Sequence, residues 1–465
     1  MADPNIDPNK ETDDAMSLVR LMTYSYMFDI EGLVATCSHN MRYRFVEPIY
    51  DVIDAYEIVL PNLSVHANGY PSPESLRSVT ALGPADYGTA YALNEEPISD
   101  GAQIIIDAIN RDDDRPIWIS IWGDGAVLAQ ALEHIRKTEG VDAVNNAVSK
   151  LRVLDNAGQD DSGAWLMDAS HYPDLWYLRW DNMFCAMDPI ADEQLYFYPF
   201  CGECAKGDPS FASDEWANNN VRSHGVLGAM YPPRRYLKEG DTPVLLYLVN
   251  NGLNDPEQPW HGSWGGRSTK VPVTGIRSYL NLGPPRQREY AESDFDPYYM
   301  YGPAEDTWNG YTSKYATIFR WWEPFQNEFA AMMDWSLTPS YENVNHPPIV
   351  DNEILYIDAF KGDVINLSST ATDPDGDVLS YEWWYYKEPG TYNGNVTIDN
   401  PTSQQSYVNI PLDAENTEIH IILSVTDNGN PSLTRYKRVI ISVFETFIDS
   451  IPPTVPRHLA SWRNW

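Results

Sequence analysis

Basic side chains are scarce in this chain. Its 465 residues carry 31 Lys and Arg against 67 Asp and Glu, a formal charge of −36. Gripping a phosphate backbone requires a basic surface, so no nucleic-acid partner is expected. The same deficit disfavours an anionic membrane. Cysteine is sparse too: Cys37, Cys185, Cys201 and Cys204. Cys201-Gly-Glu-Cys204 is a single CxxC without a second pair, a weak zinc signal, and it does not open a helix after an evident strand as a redox motif would. A short disulfide or two free thiols is the expectation. Neither a signal segment nor a membrane-length apolar run is evident. The chain opens almost on an acidic loop, and such a loop normally follows a buried strand. It closes on the Pro-rich stretch Asp449–Pro456. We therefore expect a fragment or a mis-called start, so that the missing signal says little about compartment, with 446–465 a Pro-rich linker toward a further domain.

Acid and aromatic residues are abundant. Hydrophobic residues make up 43% of the chain, enough for the cores of two or three domains, and the aromatic content of 13% includes 16 Trp and 30 Tyr. Flat rings stack on the apolar faces of sugars, so the excess hints at carbohydrate, although most rings in any protein are core. Five acids fall between Asp3 and Asp14, and the segment then becomes helical, with Met16, Leu18, Val19, Met22 and Met27 near helical spacing. One Asp there reads as a favourable first-turn acid. Asp7, Asp13 and Asp14 together repel one another, and a hard cation such as Ca²⁺ answers that repulsion with oxygen ligands.

Further along, strands alternate with helices. Asp29–Thr36 reads as a short buried strand and Pro48–Leu60 as a helix. Arg115–Trp122 is a strand that turns at Gly123-Asp-Gly125 into a helix over Ala126–Lys137. A second helix covers Gly140–Lys150, and Leu151–Leu154, Leu175–Trp180 and Thr242–Val249 read as further strands. This order predicts an α/β domain with a mostly parallel sheet and flanking helices over 1–340. Ligands in such folds bind beyond the carboxyl ends of the strands, where polar clusters follow Trp122, Leu154 and Val249. Residues 260–315 read as long loops, and Ile318–Trp335 as a closing helix with Phe319, Trp322, Phe325 and Phe329 on its apolar side. After His346-Pro-Pro348 the period becomes two, with short strands between turn signals. Residues 347–445 therefore read as an all-β, Ig-like sandwich. Its Asp373-Pro-Asp-Gly-Asp377 resembles the turn of PKD and cadherin-like modules. Two readings fit it, a tight turn closed by its own side chains and a structural Ca²⁺ site.

Residues 1 to about 335 resemble a nucleoside-hydrolase-like family of cellulose-binding proteins from polysaccharide-degrading bacteria. The resembling pieces are Glu11-Thr-Asp-Asp14 with Ser17-Leu-Val-Arg20, Phe28-Asp-Ile-Glu-Gly-Leu33, Leu154-Asp-Asn-Ala-Gly-Gln-Asp160 with Gly163-Ala-Trp165, and Gly252-Leu-Asn-Asp-Pro256 with Trp264-Gly-Gly-Arg267. The C-terminal sandwich looks like that family's usual partner module. True nucleoside hydrolases hold Ca²⁺, grip ribose and activate water with an Asp-rich loop, and a later His-Asp-Pro adds an acid and another calcium ligand. The resemblance implies Asp7, Asp14, Asp255 and the Trp122 carbonyl as metal ligands, with Asp13 on the sugar. It also sets Asn9 where the water-activating Asp stands and Asn254 where the acidic His stands. An amide is neither base nor imidazolium, so N-ribosidic hydrolysis is disfavoured. Glu11, Asp160 and Asp161 are the substitute acids or bases.

Several other residues have both a functional and a plain reading. Trp260 and Trp264 beside Gly265-Gly266 make a stacking platform or core. His261 is a proton donor over a sugar or a loop hydrogen-bonder. Arg267 contacts ligand or pairs with a structural acid. Asn219, within Asn218-Asn-Asn220, meets sugar hydroxyls or caps a helix. The catalytic set is thus Asp13, Glu11 and Asn254, and the substrate set Asn9, Asp160, Asn219, Trp260, His261, Trp264 and Arg267. The resulting expectation is an extracellular or periplasmic, Ca²⁺-bearing protein that binds cell-wall polysaccharide and either cleaves a glycosidic bond or only binds. A true nucleoside hydrolase is the third alternative.

Overall fold

The computed structural model describes residues 12–38, 41–156, 158, 160–168, 171–172, 174–180, 186–187, 208–233, 238–269, 299–300 and 304–445. The first helix, α1 (Asp13–Tyr24), opens on two acids and buries Met16, Leu18, Val19 and Met22. Its neighbour α2 (Glu47–His66) carries Pro48 in its first turn, where the missing N–H costs nothing, and buries Ile49, Val52, Ile53, Tyr56, Val59 and Leu63 at three- and four-residue steps.

Two parallel sheets form the N-terminal α/β part. Strands β1 (Leu33–Ala35) and β2 (Thr80–Leu82) pair with each other. Strands β3 (Ile117–Ile121), β4 (Leu151–Asn156), β5 (Trp176–Trp180) and β6 (Tyr299–Met300) pair in that order, all parallel. The helices Asp100–Ile109, Ala126–Thr138 and Val141–Lys150 cover one side, packing Ile105, Val127, Leu132 and Val148 on Ile119, Ile121 and Val153. The expected strands are thus present, with one correction. Thr242–Leu246 is a helix, not a strand. Pro243 stands in its first turn, and a short apolar run reads equally well as a buried helix. The closing helix is also divided, into Ala316–Phe319 and Trp322–Leu337.

Beyond residue 348 the chain forms two stacked sheets, a β-sandwich, with a short antiparallel pair of Ile349–Val350 and Ala371–Thr372 beside them. One runs in the order Leu355–Phe360, Thr434–Phe444, Thr417–Thr426, Ser380–Tyr386, and the other Val364–Ser368, Gln405–Asn409, Thr397–Asp399. All these pairs are antiparallel except the first. Trp383, Val408, Ile421, Leu423, Val439 and Ile441 fill the space between them.

The two parts share a core. Tyr386, Ile422 and Tyr436 of the sandwich lie in one continuous apolar cluster with Trp264, Trp321 and Phe325. Buried charges cross the same seam. Arg435 pairs with Glu328. Arg438 donates to the carbonyls of Leu253 (2.8 Å), His261 (3.0 Å) and Gly262 (3.2 Å). Among the described residues no helix is long and apolar enough to cross a membrane.

Candidate functional site

Three segments meet beyond the carboxyl ends of β3 and β4. The first turn of α1 brings Asp13 and Asp14, the end of β4 brings Asn156, and the turn before the helix Thr242–Leu246 brings Asp241. Each of Asp13, Asp14 and Asp241 offers a carboxylate oxygen within 4.8 Å of the other two. Asp14 and Asp241 are buried and Asp13 is half-buried. Asn156 donates from Nδ2 to Asp241 Oδ1 (2.6 Å) and to the Gly240 carbonyl (3.1 Å). Its own Oδ1 is buried without a partner, as is the Thr12 hydroxyl just before the two aspartates.

The scaffold behind this cluster is fixed by buried polar bonds. Ser17 and Thr242 share a 3.0 Å hydroxyl contact. Arg20 forks onto Glu239 (2.8 and 3.0 Å), and Tyr231 donates to the same carboxylate (2.6 Å). The Ser17-Leu-Val-Arg20 motif thus holds α1 against the Asp241 turn. Three carboxylates this close repel unless a cation or protons intervene. The donor set is oxygen only, with an orphaned amide oxygen beside it, and this suits a hard divalent ion such as Ca²⁺.

A second pair of acids lies nearby. Asp124, in the turn after β3, and Asp160, after β4, are each 2% exposed and hydrogen-bond to one another. Asp124 Oδ1 accepts from the Ala126 N–H (2.6 Å). Asp160 accepts from the Gly125 N–H (3.0 Å) and the Ser162 hydroxyl (2.8 Å). Burial pushes both carboxyls upward, Asp124 to about 6, and the pair holds a proton between them. Asp160 is therefore a structural acid, not an open sugar contact. Asp161 likewise accepts from the N–H and hydroxyl of Thr89, both at 2.7 Å.

Other expected site residues stand elsewhere. Asp255 is absent from the acid cluster, and Asp241 takes that place. The Asp255 carboxylate accepts from the Glu257 N–H (3.2 Å), lies in the field of Arg438, and is pushed up by burial. Asn254 donates to the Tyr247 carbonyl (2.9 Å), and Tyr247 donates to the Pro256 carbonyl (2.6 Å), so the Asn-Asp-Pro loop is pinned to the residue that ends the helix Thr242–Leu246. Trp264 is 0% exposed and meets Phe325 and Tyr436 edge-on: it is core, not a platform. Arg267 donates from Nε to Asp306 (2.8 Å), which also takes Arg320 and Tyr386, so its role is an internal ion pair. Asn219 sits exposed in a π-helical turn over Asn218–Arg222 and caps no helix. Trp122 directly follows β3, in register beside the end of β4, with its indole on Ser120 (2.9 Å). Asp7, Asn9, Glu11, Cys185, Cys201, Cys204 and the stretch 446–465 lie outside the described residues. Cys37 is buried.

His261 is buried and its Nδ1 has no partner. It groups with Glu418 and His420 at ligand-like separations. Arg438 donates to His420 Nδ1 (3.0 Å), so Nε2 of that ring carries the proton given to Glu418 (2.9 Å) and has no lone pair left for a metal. Trp260 stands half-buried, edge-on to His261 at 5.7 Å. Exposed rings occur after β1, where Tyr43 and Phe45 lie 5.4 Å apart.

Sequence reasoning missed Asp241 and Asn156. Asp241 stood in plain view in Gly240-Asp-Thr-Pro243, an acid before a proline that opens a helix, but the following run was read as strand. Asn156 was part of a quoted motif whose acids drew attention first.

Residues 5–268 match the model of the cellulose-binding Sde182, nucleoside hydrolase-like domain, and 364–443 match the C-terminal domain of cellulose-binding protein Sde0182. Among solved structures, a nucleoside hydrolase-related hypothetical protein of Saccharophagus degradans, described as associated with carbohydrate metabolism, is 34% identical. That match covers 95% of this chain and 98% of that one, with a TM-score of 0.79. Drosophila N-cadherin EC1-3 is 15% identical over 22% of this chain and 35% of its own, with a TM-score of 0.18. No curated protein matches.

Proposed function

The chain belongs to the cellulose-binding Sde182 family, and from that premise we propose that it is an extracellular, Ca²⁺-bearing protein that binds a cellulose-like cell-wall polysaccharide on the strand-end face of its α/β part. The observation that carries this reading is the convergence of Asp13, Asp14 and Asp241 beside the orphaned Asn156 oxygen. Those residues would hold the ion, which when bound supplies a positive centre for vicinal sugar hydroxyls. Asp13, half-buried where Asp14 and Asp241 are buried, is the carboxylate of the three that a sugar hydroxyl can reach. Tyr43 and Phe45, exposed after β1, offer faces on which a pyranose ring can stack.

The test is pull-down and calorimetry with cellulose and cello-oligosaccharides, with Ca²⁺ or chelator. We expect binding that Asp241→Ala and Asp14→Ala weaken by at least about tenfold, the scale set by losing a metal ligand or its partner. Retention of full affinity in both variants would overturn the reading. Hydrolysis is the second reading, favoured by the partial exposure of Asp13. It predicts new reducing ends that Asp13→Asn abolishes, whereas binding without products leaves a glycan-binding protein. Release of free base from nucleosides is the third outcome, opposed by the chemistry of Asn254, an amide that cannot donate a proton as an imidazolium does.

A further inference from the structure

A second set of oxygens converges far along the chain, where the helix Trp322–Leu337 hands over to the sandwich. Three segments meet there: Asn345-His346, the turn Asp373–Asp377, and Asp427-Asn-Gly429. Asn345 donates from Nδ2 to Asp427 Oδ1 (3.1 Å) and to the Pro431 carbonyl (2.8 Å). The same Asp427 oxygen also takes the N–H groups of Gly429 (3.0 Å) and Leu433 (2.9 Å). Asp373 Oδ1 takes the N–H groups of Asp375 (2.9 Å) and Asp377 (3.0 Å). In Asp427 and Asp373 alike, these donors converge on Oδ1. The other oxygens, Asn345 Oδ1, Asp373 Oδ2 and Asp427 Oδ2, are buried and have no partner at all.

Such an arrangement is costly as it stands. A buried acceptor left without a donor costs about 1–3 kcal/mol, and a charged one more. Asn345 is 6% exposed and Asp427 4%, so water does not relieve them. Asp427 and Asp373 lie close enough to repel each other. Within the turn, Asp373, Asp375 and Asp377 bring carboxylate oxygens within 4.8 Å of one another. No cationic side chain is paired with Asp373, Asp377 or Asp427 among the described residues.

We propose that Asp373, Asp375, Asp377, Asp427 and Asn345 form a binding site for a divalent cation, Ca²⁺ by its chemistry, at the junction of the α/β part and the sandwich. Four carboxylates and an amide oxygen, with no sulfur and with the nearby His346 Nδ1 already engaged by Asp375 (2.9 Å), select a hard ion. The turn itself allows the larger, irregular coordination of Ca²⁺ over the strict octahedron of Mg²⁺. The site also has a mechanical consequence. Asp375 accepts from His346 at both its backbone N–H (2.7 Å) and Nδ1 (2.9 Å). The other ring nitrogen of His346 meets His66 of α2 at 3.0 Å, and Tyr341 stacks on that ring at 3.7 Å. An ion held here ties the turn, the linker and the N-terminal helices together. This inference does not depend on the Asp13, Asp14 and Asp241 cluster.

The test uses the full chain carrying Asp14→Ala and Asp241→Ala, which silences the first cluster. After removal of metal with chelator, Ca²⁺ is titrated by calorimetry and the thermal midpoint is followed. We expect one equivalent of Ca²⁺ to bind and the midpoint to rise. Asp427→Ala is expected to abolish both effects, and Asp377→Asn to weaken binding by at least about tenfold, since ligand charge sets affinity. Among the described residues the Asp377 side chain makes no hydrogen bond or ion pair, so Asp377→Asn keeps the fold and decides the matter if Asp427→Ala does not fold. Absence of Ca²⁺ binding at millimolar concentration in the background chain, or unchanged affinity in Asp377→Asn, overturns the proposal. Two equivalents in the unmodified chain and one in the background chain support both sites. One equivalent in each supports this site alone.

Discussion

Trp260 and Trp264 stand four residues apart in one loop and have opposite surroundings. Trp264 is sealed among Phe325, Tyr436 and Trp321, while Trp260 keeps part of its ring at the surface. Truncating the first leaves a cavity in the shared core. Trp264→Ala should therefore destabilise by about 3–5 kcal/mol, measured by denaturant unfolding. Trp260→Ala should unfold within about 0.5 kcal/mol of the parent. Equal losses in the two variants would contradict this division. At this scale the sequence was only partly legible. Asp13 and Asp14 were evident because two adjacent acids at a helix start are unusual. Asp241 was not, because a single acid in a turn carries no signal until the chain folds it beside others. Asp255 was misassigned because motif spacing fixes a residue's neighbours along the chain, not the direction its loop faces.

Helices and strands were more legible than their ends. Periodicity located α1, α2, β1, β3, β4 and β5, each of which buries apolar residues, and gave no sign of the three-residue β2. It failed at Thr242–Leu246, where five residues are too few to distinguish the two periods. The β3 turn shows what an element end can do that its interior cannot. There Asp124 and Asp160 share a proton, and burial raises both above the ordinary carboxylate range. A carboxyl whose folded value is raised contributes stability that is complete below its unfolded value, about 3.9, and is lost as pH climbs through its folded value, about 6 for Asp124. Stability should thus decline between pH 4 and 6 from this source. In Asp124→Asn the amide oxygen keeps the Ala126 bond and the amide nitrogen donates to Asp160, replacing the shared proton. Unfolding curves at several pH values should show a shallower decline in that variant. An unaltered slope would mean that the pair does not share a proton.

Over the whole molecule, the change of period after His346-Pro-Pro348 announced the sandwich, and composition correctly foretold several cores. Composition could not foretell that one of those cores would be held in common. That feature depends on Tyr386, Ile422 and Tyr436 facing outward from their own sheet, a direction that alternation alone leaves open. The seam also carries charge. Removing Arg435 would strand Glu328, whose side chain is 2% exposed, so Arg435→Ala should cost about 3–5 kcal/mol, with Glu328→Gln in the same chain recovering part of it. Calorimetry of the two variants measures both. A loss below about 1 kcal/mol for Arg435→Ala would mean that water enters the seam.

Because the outer rings of the sandwich are also interior residues of its neighbour, the two cannot be traded separately. A gene fusion that cut the chain near residue 347 would leave Tyr386 and Tyr436 on one product and Trp264 and Phe325 on the other as raw, sticky surfaces. Recombination that shuffles modules should therefore carry this pair as a single cassette, and anyone trimming it into a minimal binding tag should expect inclusion bodies instead of a soluble handle.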